Sequence, residues 1–117
     1  MSKINIRTTI ISNQEVSEQK YNAIKKDNSY LYQEKECIVK VIRKDPIIII
    51  RENDDFLLTL NFDKKKKTQG MYYLKKEKLE IKLDICTDYI IILDKMIKIH
   101  YAITNTNQNV TYILEEE

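Results

Sequence analysis

The cleanest period in the chain runs from Leu79 to Ile85. Leu79, Ile81, Leu83 and Ile85 take every second position, and Lys78, Glu80, Lys82 and Asp84 lie between them. A period of two puts the apolar set on one face of a strand and the charged set on the other, whereas a helix would scatter both. One dry face and one wet face is the pattern of an antiparallel sheet. The pattern recurs in Ile4, Ile6, Thr8 and Ile10, in Phe56, Leu58, Leu60 and Phe62, and in Ile97, Ile99, Tyr101 and Ile103. Cys37 to Arg43 and Val110 to Leu114 are β-branched and strand-like. Tyr30-Leu31-Tyr32 is a short aromatic strand, and Ile47 to Ile50 is a strand apolar on both faces. Asp88 is read as the start of a separate strand, Tyr89 to Leu93. Residues 15 to 26 allow two readings. Ser12 and Glu15 have the spacing of a helix capping box, but Ser17, Gln19, Tyr21 and Ala23 alternate with Val16, Glu18 and Lys20, which favours a polar strand.

About ten strands follow, joined by connections of two to five residues. Parallel neighbours need crossovers of a dozen residues or more, and none is present. The sheet is therefore antiparallel and mostly a meander, and closing it removes its edges. The fold expected is all-β: one domain, residues 1–117, forming an antiparallel up-and-down, lipocalin-like (calycin) barrel of about eight to ten strands. Asn and Asp must supply the tight turns, because Gly70 is the only glycine. The inward positions are large (Ile, Leu, Phe and Tyr), which favours a filled or narrow interior over a roomy one.

The order of elements resembles that of the YwiB-like family, small bacterial proteins with a calycin-type barrel. The resemblance rests on Ile38-Val39-Lys40-Val41, on Ile47 to Arg51, on Phe56 to Phe62 and on the stretch from Lys98 to Glu115. It departs from that family at Glu52-Asn53, where a glycine is usual, and at Leu74 to Glu77, where a Thr-Pro-Tyr-Gly turn is usual. The resemblance implies a fold and no particular activity.

Composition narrows the chemistry. One glycine forbids a phosphate-binding loop, a dinucleotide fingerprint and a nucleophile elbow. One histidine, His100, forbids a multi-histidine zinc site, and it alternates away from the apolar face of its strand. Glu52 to Asp55 lacks the glycine and the terminal glutamate of a calcium loop. No catalytic constellation, metal or cofactor is expected. Cys37 and Cys86 form neither a CxxC motif nor a disulfide framework. Cys37 shares a face with Val39 and Val41 and reads as a buried, inert thiol. The longest apolar runs fall far short of the ~20 residues that span a bilayer, and Met1 to Arg7 holds no signal-peptide core. The expected location is cytoplasmic, with no membrane partner.

The net charge of +2 does not call for a polyanionic partner. Charge is uneven, however: residues 64 to 82 carry eight Lys against two Glu. Tyr72 and Tyr73 could stack on bases beside Lys64 to Lys67, but the segment has no Arg for bidentate recognition, so nucleic acid is not the expected partner. Arg51 ends an apolar run and is the candidate for holding an anionic head group. With Tyr30, Tyr72 and Lys67 it makes the candidate ligand-binding set, for a small amphipathic or anionic ligand. The alternative is a protein-interaction or assembly module that uses an exposed strand edge or the Lys64–Lys67 hairpin. The pattern leaves the oligomeric state open.

Overall fold

In the computed structural model, which describes residues 1–117, the alternation becomes ten β-strands. They are β1 (Ser2–Ser12), β2 (Glu15–Lys26), β3 (Ser29–Gln33), β4 (Ile38–Ile42), β5 (Ile47–Glu52), β6 (Phe56–Phe62), β7 (Thr68–Leu74), β8 (Leu79–Leu93), β9 (Met96–Ile103) and β10 (Gln108–Glu116). Each pairs antiparallel with the next, and β10 returns to pair with β1, so the sheet is a closed up-and-down barrel. Residues 15 to 26 are a strand, the reading that the Ser17 to Ala23 alternation favours. The only helical turn is Thr104–Thr106, and no helix is long and apolar enough to cross a membrane.

Turn chemistry follows from the shortage of glycine. Asn13 and Gln14 join β1 to β2 with φ of 50° and 73°, the left-handed pair that a two-residue primed hairpin turn requires. Asp27 and Asn107 hold φ of 53° and 54° at other corners. Gly70 serves a different need. A Cβ there would lie 2.6 Å from the Thr59 carbonyl oxygen, so the glycine lets β7 approach β6 closely.

Two expectations about β8 are corrected. It runs unbroken through Asp88, because a bulge between Thr87 and Tyr89 absorbs the extra residue. The bulge shifts the phase: Ile85 and Thr87 face Ile103 and Tyr101 across the ladder, and beyond it Ile90 and Ile92 face Ile99 and Ile97. The dry face is also shorter than its sequence period. Leu83 and Ile85 are buried, but Leu79 and Ile81 are exposed, because β8 pairs with β9 only from Ile85 onward and the preceding residues rise past the wall.

Alternating strand direction gathers the turns into two ends. Turns 13–14, 34–37, 53–55, 75–78 and 104–107 form one end; turns 27–28, 43–46, 63–67 and 94–95 form the other, with both termini. The waist between them is packed with Ile6, Val39, Val41, Ile49, Phe62 and Ile99, each almost wholly buried.

Candidate functional site

The end that holds the chain termini is plugged on the side of β2, β3 and β10, and beside that plug an open pocket of about 630 Å³ lies between turns 43–46 and 63–67 and β8. Period-two alternation carries Tyr30 and Glu116 inward, and there Glu116 Oε2 accepts hydrogen bonds from the Tyr30 hydroxyl and from Lys25 Nζ, both at 2.7 Å. Arg43 donates to the Tyr30 hydroxyl at 3.4 Å and to the Asp94 carbonyl at 3.1 Å. Burial works against the charge on Glu116, but the two donors outweigh it and hold the carboxyl below its usual range.

The opposite end is open. A cavity of about 470 Å³ enters the barrel there, bounded by Ile10, Leu58, Leu60, Leu83, Ile103 and Val110 among other, mostly apolar, side chains. The expectation of a filled or narrow interior is thus corrected for this half of the barrel. Barrel diameter grows with strand number, and ten strands hold more than the large inward side chains fill.

Arg51, Glu34, Tyr101, Tyr112 and Tyr72 bring polar groups to this apolar space. Their arrival follows from local structure. In β5, Ile47, Ile49 and Arg51 share the inward face, so the last inward position of an isoleucine run is a guanidinium. In β3, the inward set Tyr30 and Tyr32 continues by two to Glu34. Arg51 Nε lies 3.4 Å from Glu34 Oε1, and the two side chains are only 16% and 19% exposed. Glu34 Oε1 also accepts from Cys37 Sγ at 3.3 Å. Burial, followed by this bond, pushes the Cys37 thiol up to about 11.

Tyrosines pack against one another beside the cavity. The Tyr32 and Tyr112 hydroxyls share a hydrogen bond of 2.8 Å, and burial pushes Tyr32 up to about 12 against the lowering effect of that bond. The Arg51 guanidinium lies over the Tyr112 ring, 5.8 Å from its centroid, a cation–π arrangement. Tyr21 packs on Tyr32 with ring centroids 5.0 Å apart. Arg51 forms no hydrogen bond through its two terminal nitrogens, and neither Tyr101 nor Tyr72 forms one through its hydroxyl. None of these atoms is sealed in the core, where the one unsatisfied polar atom is Thr87 Oγ1. They are solvent-accessible donors on residues that line the cavity.

Of the four residues singled out from sequence, Arg51 and Tyr72 line this cavity. Tyr30 lies in the plug at the other end, and Lys67 is exposed in the 63–67 turn of that same end. Glu34, Tyr101 and Tyr112 were not singled out. The signal for Glu34 is the continued period of two from Tyr30 and Tyr32, hidden because Lys35-Glu36 reads as a turn. His100 lies on the outer face, bonded to Thr111 Oγ1 at 2.8 Å and stacked on Tyr89. Cys37 is buried and Cys86 exposed, both as free thiols.

Fold and cavity define the class: a closed ten-stranded up-and-down β-barrel with an open, mostly apolar chamber lined by an arginine and tyrosines. No family model matches the chain, and no curated protein sequence does. Among solved structures it is similar to the ywiB protein of Bacillus subtilis, at 16% sequence identity, with 98% of this chain and 93% of that chain covered and a TM-score of 0.46. That protein carries the name of the family which the sequence pattern resembles.

Proposed function

We propose that the protein binds a small amphipathic ligand, with the apolar part in the barrel chamber and an anionic head group, best a carboxylate, on Arg51. The observation that carries this reading is a guanidinium inside an apolar chamber with both terminal nitrogens unpartnered. Those nitrogens are accessible and free to donate to a bound anion. A carboxylate matches the guanidinium fork with two parallel bonds. The hydroxyls of Tyr101 and Tyr72 supply further donors, and the chamber volume falls in the range of small-molecule sites.

Glu34 holds Arg51 from the Nε side and leaves the fork free. It also sets a limit, since its carboxylate weakens the attraction for a second anion. The reading is of a lipocalin-like binder, not an enzyme. Two free thiols, one of them exposed, suit a reducing, cytoplasmic setting.

Native mass spectrometry of gently purified protein, beside a denaturing spectrum, tests the reading. The expected result is extra mass that denaturation releases and that Arg51→Met fails to carry. A bare chain from every preparation, together with no binding of added carboxylate amphiphiles, contradicts it.

A further inference from the structure

The barrel is closed, but one stretch of its wall has a single neighbour. β2 pairs with β1 along its whole length, from Ser12↔Glu15 to Ser2↔Lys25, and with β3 only from Ala23 to Lys26. Residues 15 to 21 therefore have an open side. The two-residue turn at Asn13-Gln14 fixes the phase of the hydrogen bonds. Ser12 and Glu15 exchange a pair of bonds, and alternate residues follow. Glu15, Ser17, Gln19 and Tyr21 thus turn their backbone groups toward β1, whereas Val16, Glu18 and Lys20 turn theirs outward. All three outward residues are exposed, and no side chain of the protein bonds to their backbone.

The other long overhang of the sheet is treated differently. On β8, the Asn105 side chain accepts from the Asp84 amide at 3.0 Å and donates to the Lys82 carbonyl at 2.9 Å, covering that edge. The β2 edge has no such cover.

We propose that this edge pairs with the same edge of a second copy, as two antiparallel strands about a two-fold axis at Gln19. Geometry and charge together select that register. Because only the even-numbered residues have outward backbone groups, even must face even. An axis at residue 18 sets Glu18 against the partner's Glu18, and an axis at residue 20 sets Lys20 against the partner's Lys20. An axis at Gln19 sets Glu18 opposite the partner's Lys20 and, by symmetry, Lys20 opposite the partner's Glu18. Directly opposed strand positions lie close enough for such charges to matter in either sign. A lone edge lysine repels a second strand; spaced two residues from Glu18, Lys20 attracts one in this register. The contacts these side chains now make are loose surface pairs, Glu18 with Arg7 at 3.9 Å and Lys20 with Glu117 at 3.7 Å, which are readily exchanged. Main-chain bonds of this kind join sheets across molecules, and an isologous contact closes at two copies. The interface is small, so the dimer is weak and depends on concentration.

Sedimentation over a wide concentration range, with amide hydrogen exchange at its two ends, tests the proposal. The expected result is a monomer that becomes a dimer on concentration, with the amides of Glu18 and Lys20 gaining protection. Those of Ser17 and Gln19 should be protected throughout. Glu18→Lys should weaken association about tenfold or more, and the charge swap Glu18→Lys with Lys20→Glu should restore it. Circular dichroism checks that each variant folds; if Glu18→Lys does not, exchange on the unaltered protein decides alone. A monomer at every concentration with freely exchanging Glu18 and Lys20 amides overturns the proposal. So does a dimer that Glu18→Lys leaves intact, which would place the contact on another face.

Discussion

Arg51 Nε sits 3.4 Å from Glu34 Oε1, and the pair stands at the inner wall of an apolar chamber with more than four fifths of each side chain covered. Glu34 therefore does two opposed things: it offsets the buried charge of Arg51, and it competes with any anionic ligand for that charge. Glu34→Gln should lower stability by about 1–3 kcal/mol, because the guanidinium loses its charged partner. The same change should strengthen binding of a carboxylate amphiphile. Urea unfolding and calorimetric titration read the two effects; weaker carboxylate binding in Glu34→Gln would refute the competition.

The two thiols should differ in reactivity. The thiolate is the reacting species, and with its pKa pushed up to about 11 by burial and the bond to Glu34, Cys37 has almost none at neutral pH. Cys86 is exposed on the outer face of β8. Alkylation of the native protein should mark Cys86 alone, and Cys86→Ser should abolish native labelling. Rapid modification of Cys37 in that variant would mean that the chamber opens far more than its geometry implies.

Gly70→Ala should destabilise the barrel by about 1–3 kcal/mol. The added carbon would meet a backbone oxygen, the Thr59 carbonyl, at 2.6 Å, and no side-chain rotation can move that atom away. An unchanged urea midpoint would show that β7 can move away from β6 at no cost.

Acid should loosen the plugged end first. Glu116 is held below its usual pKa in the folded barrel by Lys25 and Tyr30, against the effect of its burial. The unfolded chain then takes up the proton at higher pH than the folded one. The stabilising contribution is complete above the ordinary carboxylate range, near pH 4.3, and is lost as pH falls through the lower folded value. Glu116→Gln should be less stable than the parent at neutral pH, and the gap should narrow below about pH 4. A gap that is constant with pH would assign the effect to packing alone.

The barrel was legible in the sequence because a period of two is a direct imprint of the sheet. Leu79 to Ile85 and Ile97 to Ile103 name their inward faces without reference to any neighbour, and Asn13 and Asp27 mark corners where glycine is scarce. Two kinds of information were not local. Whether the interior fills depends on strand number and tilt around the whole circumference, so large inward residues were compatible with a chamber of about 470 Å³. The extent of a dry face depends on where the neighbouring strand begins, so Leu79 and Ile81 alternate correctly and still meet solvent. The candidate set split for a related reason. Arg51 and Lys67 lie one strand apart in sequence order, but successive turns alternate between the ends of an up-and-down barrel, and the two residues fall at opposite ends. That separation was available from strand order alone. The interior placement of Tyr101 and Tyr112 was legible as well; their role beneath Arg51 required the closure of β10 onto β1.

The most direct test of the ligand site is a nitrogen-15 spectrum of the Arg51 side chain, recorded on adding decanoate and, separately, decanol. Decanoate should shift the Arg51 guanidinium signals and saturate. Decanol, lacking the carboxylate, should bind more weakly and leave those signals near their starting positions, and Arg51→Met should erase the preference between the two. Equal binding of both compounds with an unmoved Arg51 signal would mean that this arginine does not hold the head group.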